Sequence, residues 1–359
     1  MKDKNKKILI SVGGLVLVLV LLAGPIIHIV KNHPYEYVYF NELAGGTEKA
    51  YGRYELDYYY HSTREASEWV IANAEAKADG SKIRVATWHT ASVEYFFRND
   101  TAKFQVCFAR WYEKGNTDWD YAIFTVTGMS PQELANEKVF PPKNCVKTID
   151  VDGKPICVVL KREDKNDFVG NQYKQRGSLD TAIYYFNKAL AYDPYNISVL
   201  MNITESYFNL SQRINDRRFL DTAKIFIDKV LSFLPKYETA NYFLAHYYMV
   251  SGNFDEAIKP CRYIIDSCNY KFKAAYSLMC QCYLQKNDTK NAQKTLERLI
   301  DIDQLDDQAV KQLIAIYMSQ GKDERGAYRK LYKKCAQSFE SRGKQEQADM
   351  YWDAYRQMR

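Results

Sequence analysis

Residues 173–194 read YKQRGSLDTAIYYFNKALAYDP, and residues 248–269 read YMVSGNFDEAIKPCRYIIDSCN. Both hold a tyrosine, a glycine four residues on and an alanine nine residues on. The phase recurs along the C-terminal half, where Tyr173, Tyr207, Tyr248, Tyr283 and Tyr317 follow one another at intervals of 34, 41, 35 and 34 residues. Ala182, Ala223, Ala257 and Ala292 mark a second helix in each unit. Four and seven positions later come Phe186 and Ala189, Ile227 and Val230, Cys261 and Ile264, Leu296 and Leu299. That spacing lies on one helix face. The small residue lets the paired helices approach, and the larger ones fill the joint with the next pair. Pro194 and Pro235 close the second helix of the first two units. Gly177, Gly252 and Gly321 sit where the chain turns between helices. The interval of 41 implies an insertion of seven residues between the helices of the second unit, assigned to Gln212–Arg218. A fifth unit is the weakest, with Gly326 where alanine is expected.

From residue 163 to about 332 this pattern matches the tetratricopeptide repeat. One pair of helices cannot hide its apolar face, whereas stacked pairs share a continuous core. Gln345–Arg359 is expected to form an amphipathic capping helix. The resemblance implies binding of peptides or partner proteins along a concave surface lined by the first helix of each unit. Counted from the repeat phase, that surface includes Asn171, Lys174, Glu205, Phe208, Tyr242, His246, Gln281 and Lys311. Read singly, these are solvated polar positions with scattered aromatics. As a set, Phe208, Tyr242 and His246 read as a contact patch. No clamp for a C-terminal carboxylate is expected. Asn171 and Asn202 fit one, but Asp167, Thr239 and Phe243 stand where basic residues belong.

Outward from the repeats, the N-terminus carries ILISVGGLVLVLVLLAGPIIHIV at residues 8–30. At 1.5 Å per residue it extends about 34 Å, enough for a hydrocarbon core of about 30 Å. Lys2, Lys4, Lys6 and Lys7 precede it and place the N-terminus in the cytoplasm. The competing reading is a cleaved signal peptide. The apolar run is long for one, and cleavage after Ala23 would put Leu21 where a small residue is needed. An uncleaved anchor is expected.

Residues 33–60, HPYEYVYFNELAGGTEKAYGRYELDYYY, form an aromatic collar suited to the headgroup zone. The runs His33-Pro34-Tyr35, Tyr37 to Gly46, Ala50 to Glu55 and Asp57-Tyr58 resemble the segment after the last membrane helix in bacterial polyprenyl-phosphate-sugar glycosyltransferases of the protein-mannosyltransferase type. Tyr59-Tyr60-His61 departs from that pattern. The resemblance implies a bacterial extracytoplasmic module. It does not imply the transferase activity, whose acid lies in a loop between membrane helices that this chain has no second helix to form. Beyond it, Ser62-Thr63-Arg64-Glu65 fits a capping box opening a helix. Strands are expected at Ile83–Trp88, Val93–Phe97, Phe104–Trp111 and Tyr121–Val126. A hairpin follows, Val146–Val151 and Ile156–Leu160 about Asp152-Gly153.

The chain of 359 residues, with a formal charge of +6 and acids mixed among its bases, shows no basic stripe for nucleic acid. Glu42, Glu55 and Asp57 either bind a cation or pair with Arg53, Lys49 and tyrosine hydroxyls. No Cys or His pair has metal-ligand spacing. Phosphate-binding and nucleophile motifs are absent from the sequence, so no catalytic residue, metal or cofactor is expected. The eight cysteines read chiefly as small buried hydrophobes. Cys261 and Cys268 are too far apart on one helix to bridge, and Cys145 and Cys157 meet only if their hairpin is irregular.

The expected fold class is mostly α: one N-terminal transmembrane helix (8–30) after a cytoplasmic tail (1–7), a small mixed α/β domain (31–162) and a tetratricopeptide-type α-solenoid with its capping helix (163–359). The expected function is a non-enzymatic scaffold anchored in the bacterial cytoplasmic membrane, with its bulk in the periplasm and protein partners in the groove. The alternative is an accessory subunit or detached C-terminal module of a polyprenyl-phosphate-sugar glycosyltransferase, associated with the polytopic membrane enzyme.

Overall fold

The computed structural model describes residues 2–303 and 306–358; Met1 of the expected tail and Arg359 of the expected capping helix lie outside the described residues. The chain divides into two compact units, one up to Asp216 and the other from Arg217.

The first unit opens with helix α1, Lys2–Lys31, which carries Pro25 near its C-terminal end. Its stretch Val12–Lys31 is long and apolar enough to cross a membrane, a test that an N-terminal signal sequence also meets. The last turns of α1 pack on the domain that follows. His28 is 5 % exposed, with Nδ1 at 3.1 Å from Asp152 Oδ2. Asn32 Nδ2 donates to Asp152 Oδ1 at 2.8 Å, and Thr47 Oγ1 donates to Oδ2 at 2.7 Å. The Asp152 backbone N–H returns a bond to Asn32 Oδ1 at 3.1 Å. Partial burial raises the Asp152 carboxyl, but these hydrogen bonds and the His28 charge outweigh it and hold the group below its usual range.

Next come two 3-10 turns, Glu36–Val38 and Glu42–Ala44, then α2 at Gly46–Ala50 and α3 at Ser62–Asn73. The expected capping box does not form. The Ser62 hydroxyl donates to Asp57, which also accepts the His61 backbone N–H at 3.0 Å. Glu65 takes the Tyr35 hydroxyl at 2.8 Å instead. Asp57 lies earlier in the chain and outcompetes the box for the helix start.

Strands β1 (Ile83–Thr87), β2 (Phe104–Phe108), β3 (Tyr121–Thr125), β4 (Cys145–Val151) and β5 (Lys154–Lys161) form one sheet in the order β2-β1-β3-β5-β4. β1 pairs in parallel with β2 and β3, while β5 runs antiparallel to β3 and to β4. The expected strand Val93–Phe97 is helix α4, Thr90–Phe97. Parallel β1 and β2 require a crossover, and α4 supplies it. Val93 and Phe97, four apart, are the residues it buries. Along β3 the side chains alternate. Ile123 faces a core shared with α3 and α4, whereas Ala122 and Phe124 face Trp111, Trp119 and Phe140. The short helix α5, Pro131–Leu134, adds Leu134 to that second face.

Helices α6 (Asn166–Gln175), α7 (Leu179–Tyr192) and α8 (Ile197–Ile214) complete this unit. The seven extra residues expected between two helices, Gln212–Arg218, extend the helices themselves, since α8 is an 18-residue helix where α6 has ten. Gly170 lets α6 approach α7. A β-carbon there would stand 2.6 Å from two carbons of the buried Phe186 ring. Gly170→Ala should therefore destabilise the unit by about 1–3 kcal/mol through overpacking, against up to about 1 kcal/mol gained from helix propensity. A urea midpoint measures it, and Phe186→Leu in the same chain should restore most of the loss.

The second unit holds α9 (Arg217–Phe233), the pairs α10 (Glu238–Val250) with α11 (Phe254–Tyr263), α12 (Lys273–Gln285) with α13 (Thr289–Ile302) and α14 (Asp307–Ser319) with α15 (Glu324–Glu340), and then α16 (Gln345–Gln357). Ile264–Cys268 continues α11 as a π-helical turn. Ala257 and Ala292 are fully buried at the close approach of paired helices, as their spacing implies, and Ala223 is fully buried on α9. In the last pair the buried small residue is Ala327 rather than Gly326, whose amide instead donates to the Asp323 cap at 2.9 Å. Helix α16 packs on α15, burying Ala348 and stacking Tyr351 on Phe339.

Candidate partner-binding surfaces

In the first unit the predicted groove positions separate. Asn171 is 4 % exposed. Its Nδ2 lies against Gly115 in the 3-10 helix Trp111–Asn116, which packs on α6 and α8. Ser198 Oγ adds a bond to the Tyr112 carbonyl at 3.1 Å. The neighbouring Asp167 is held at 2.7 Å by the buried Arg162, whose guanidinium also lies 4.0 Å over the Trp119 ring. Asn171 thus binds the chain's own sheet domain. Phe208, at 3 % exposure, belongs to the buried face of α8 rather than to an open patch. The repeat phase shifts where α8 is lengthened, and one residue turns a side chain by about 100°.

Lys174 and Glu205 are brought together. The ammonium pairs with the Glu205 carboxylate and donates to Asn202 Oδ1 at 2.8 Å. The pair is partly buried and closes on itself, and it occupies one of the two asparagines a carboxylate clamp would use.

The second unit offers a different surface. Tyr242 and His246, one turn apart on α10, stack with rings nearly parallel and centroids 6.3 Å apart. Tyr242 also contacts Phe272 at 5.7 Å. All three are half-buried. Burial lowers the His246 pKa, favouring the neutral ring, and raises the Tyr242 hydroxyl. Gln281 on α12 is half-buried, and Lys311 on α14 is exposed with Asp307 at 4.0 Å. An apolar body with a polar edge suits recognition by stacking and hydrogen bonding rather than by net charge. Phe272 was not anticipated, because it lies between helices, outside the counted phase.

No group of three or more His, Cys, Asp or Glu among the described residues is placed to hold a metal ion. Glu42 and Glu55 are exposed, whereas Asp57 is buried beneath the hydroxyls of Tyr37 and Ser62. The eight thiols are all free.

The sequence family described as Tetratricopeptide repeat protein 21 second ARM domain matches residues 173–287, and the one described as Tetratricopeptide repeat matches residues 274–304. The C-terminal half is accordingly a tetratricopeptide-type array, a fold that serves in general as a non-catalytic scaffold for protein interaction. No curated protein sequence matches the chain. Among solved structures, MamA is 17% identical over 53% of this chain and 94% of its own, with a TM-score of 0.34. A tetratricopeptide repeat protein from Parabacteroides merdae is 18% identical over 54% of this chain and 77% of its own, TM-score 0.38. A thermophilic protein of the same repeat class from Thermus thermophilus is 15% identical over 52% of this chain and 95% of its own, TM-score 0.35.

Proposed function

We propose that the chain is a membrane-anchored, extracytoplasmic scaffold of a bacterial cytoplasmic membrane that holds a protein partner on its tetratricopeptide array, chiefly through Tyr242 and His246, with Gln281 and Lys311 on the first helices of the following pairs. The observation that carries this reading is the half-buried aromatic stack of Tyr242 and His246 on α10, where Asn171 and Phe208 of the same counted set are packed away. The apolar helix α1 supports the anchor, and the lysines before it support an outward-facing array.

Photocrosslinking amino acids at 242 and 246 in cells test it, with a control at the exposed Ile225 of α9. A protein captured at 242 or 246 and missed at 225 is the expected result. Its identity separates a soluble envelope protein from a polytopic glycosyltransferase, the partner the resemblance of residues 33–60 implies. If neither position captures anything the control misses, the partner surface is not there. Protease digestion of right-side-out vesicles checks the topology, and an array cut only after lysis would overturn it.

A further inference from the structure

The domain behind α1 lies unusually close to the apolar helix. The clasp around Asp152 holds the helix at His28 and Asn32. A second contact lies deeper: the Glu42 carboxylate oxygens stand within 2.9 Å of where a Gly24 β-carbon would be. A carboxylate is costly in hydrocarbon, so the hydrocarbon boundary falls near Gly24. The stretch Ile8–Gly24 that remains is about 25 Å long, at the short end of the range for a span. The free face of the clasped turns nevertheless stays apolar, with Ile26, Ile27, Ile29 and Val30 all exposed. Immediately beside Glu42, Leu43 is 91 % exposed on the tip of its 3-10 turn, and Tyr54, also exposed, stacks on Phe40 nearby in the same segment.

We propose that the sheet domain is seated in the headgroup layer, with Leu43 inserted among the upper acyl chains as a second contact with the bilayer. The occupant of this apolar face is lipid, because the face continues the surface of the membrane helix itself, joined to it through Gly24. The fixed clasp sets the depth, the Glu42 carboxylate stays at the boundary, and the aromatic pair lies at the level where rings with a polar end partition. This inference rests on the membrane reading of α1.

The test uses the full chain in phosphatidylcholine vesicles. An environment-sensitive fluorescent amino acid is placed at Leu43, at Leu19 in the span, or at the exposed Tyr95 of α4, and lipids carry a nitroxide quencher at the headgroup, high on the chain or at mid-chain. The expected result is quenching at 43 several-fold stronger than at 95, greatest for the quencher high on the chain, while 19 responds to the mid-chain quencher. Quenching at 43 no greater than at 95, with 19 still quenched, would overturn the seat and leave the anchor standing. Loss of quenching at 19 as well would remove the anchor and the seat together.

Discussion

Phe208→Ala should lower the stability of the first unit by about 3–5 kcal/mol, the range for truncating a buried aromatic. Domains of this size are commonly stable by only about 5–15 kcal/mol, so the urea midpoint should fall steeply. Phe208 points to the buried face of α8 together with Leu200, Ile203 and Thr204, and is itself 3 % exposed. Tyr242→Ala, on the half-open stack of the second unit, should cost less stability and more partner capture. If Phe208→Ala instead left the midpoint unchanged and abolished partner binding, the residue would belong to an open surface, and the packing of α8 described above would be wrong.

The second large effect concerns the thiols. Burial comes first among the causes that push all eight above the ordinary cysteine range. Cys145, Cys280 and Cys282 reach about 11, and Cys335 about 12. A thiol at 11 is about 3 × 10⁻⁴ ionised at pH 7.5, against about one-tenth for a free thiol near 8.5, so chemistry alone slows alkylation about 300-fold. Steric burial adds to that. In the native protein at pH 7.5 the five buried thiols, Cys157, Cys261, Cys280, Cys282 and Cys335, should label with iodoacetamide very slowly and faster as pH rises toward 11, and in urea all eight should label. Rapid native labelling at any of those five, or a protein running as disulfide-linked without reductant, would contradict the packing. The sign carries over to stability. A thiol raised on folding favours the native state at neutral pH, and that contribution is lost once pH passes through its folded value.

The repeat array was legible in the sequence because its signal is a period, and a period survives errors at single positions. The alanines land at full burial and α6 to α16 fall within the expected region. Where the period gives way, phase is lost, as at the lengthened α8 and at Gly326 against Ala327. Local composition misled at residues 93–97, where Val-Glu-Tyr-Phe-Phe reads as strand. Only the parallel pairing of β1 with β2 requires a helix there, and pairing is not written locally. The groove was half legible. Tyr242 and His246 sit one helical turn apart on α10 and are left half-buried, but the cover over Asn171 comes from residues 111–116, far away in the chain, and no spacing rule reaches that far.

The Asp152 clasp has a mechanical consequence. It ties the C-terminal end of α1 to the tip of the β4–β5 hairpin, at the edge of the sheet. A pull along the helix axis loads the hydrogen bonds around that single carboxylate before it loads the strands. They give way first, so a tug on α1 is met at this clasp ahead of the sheet.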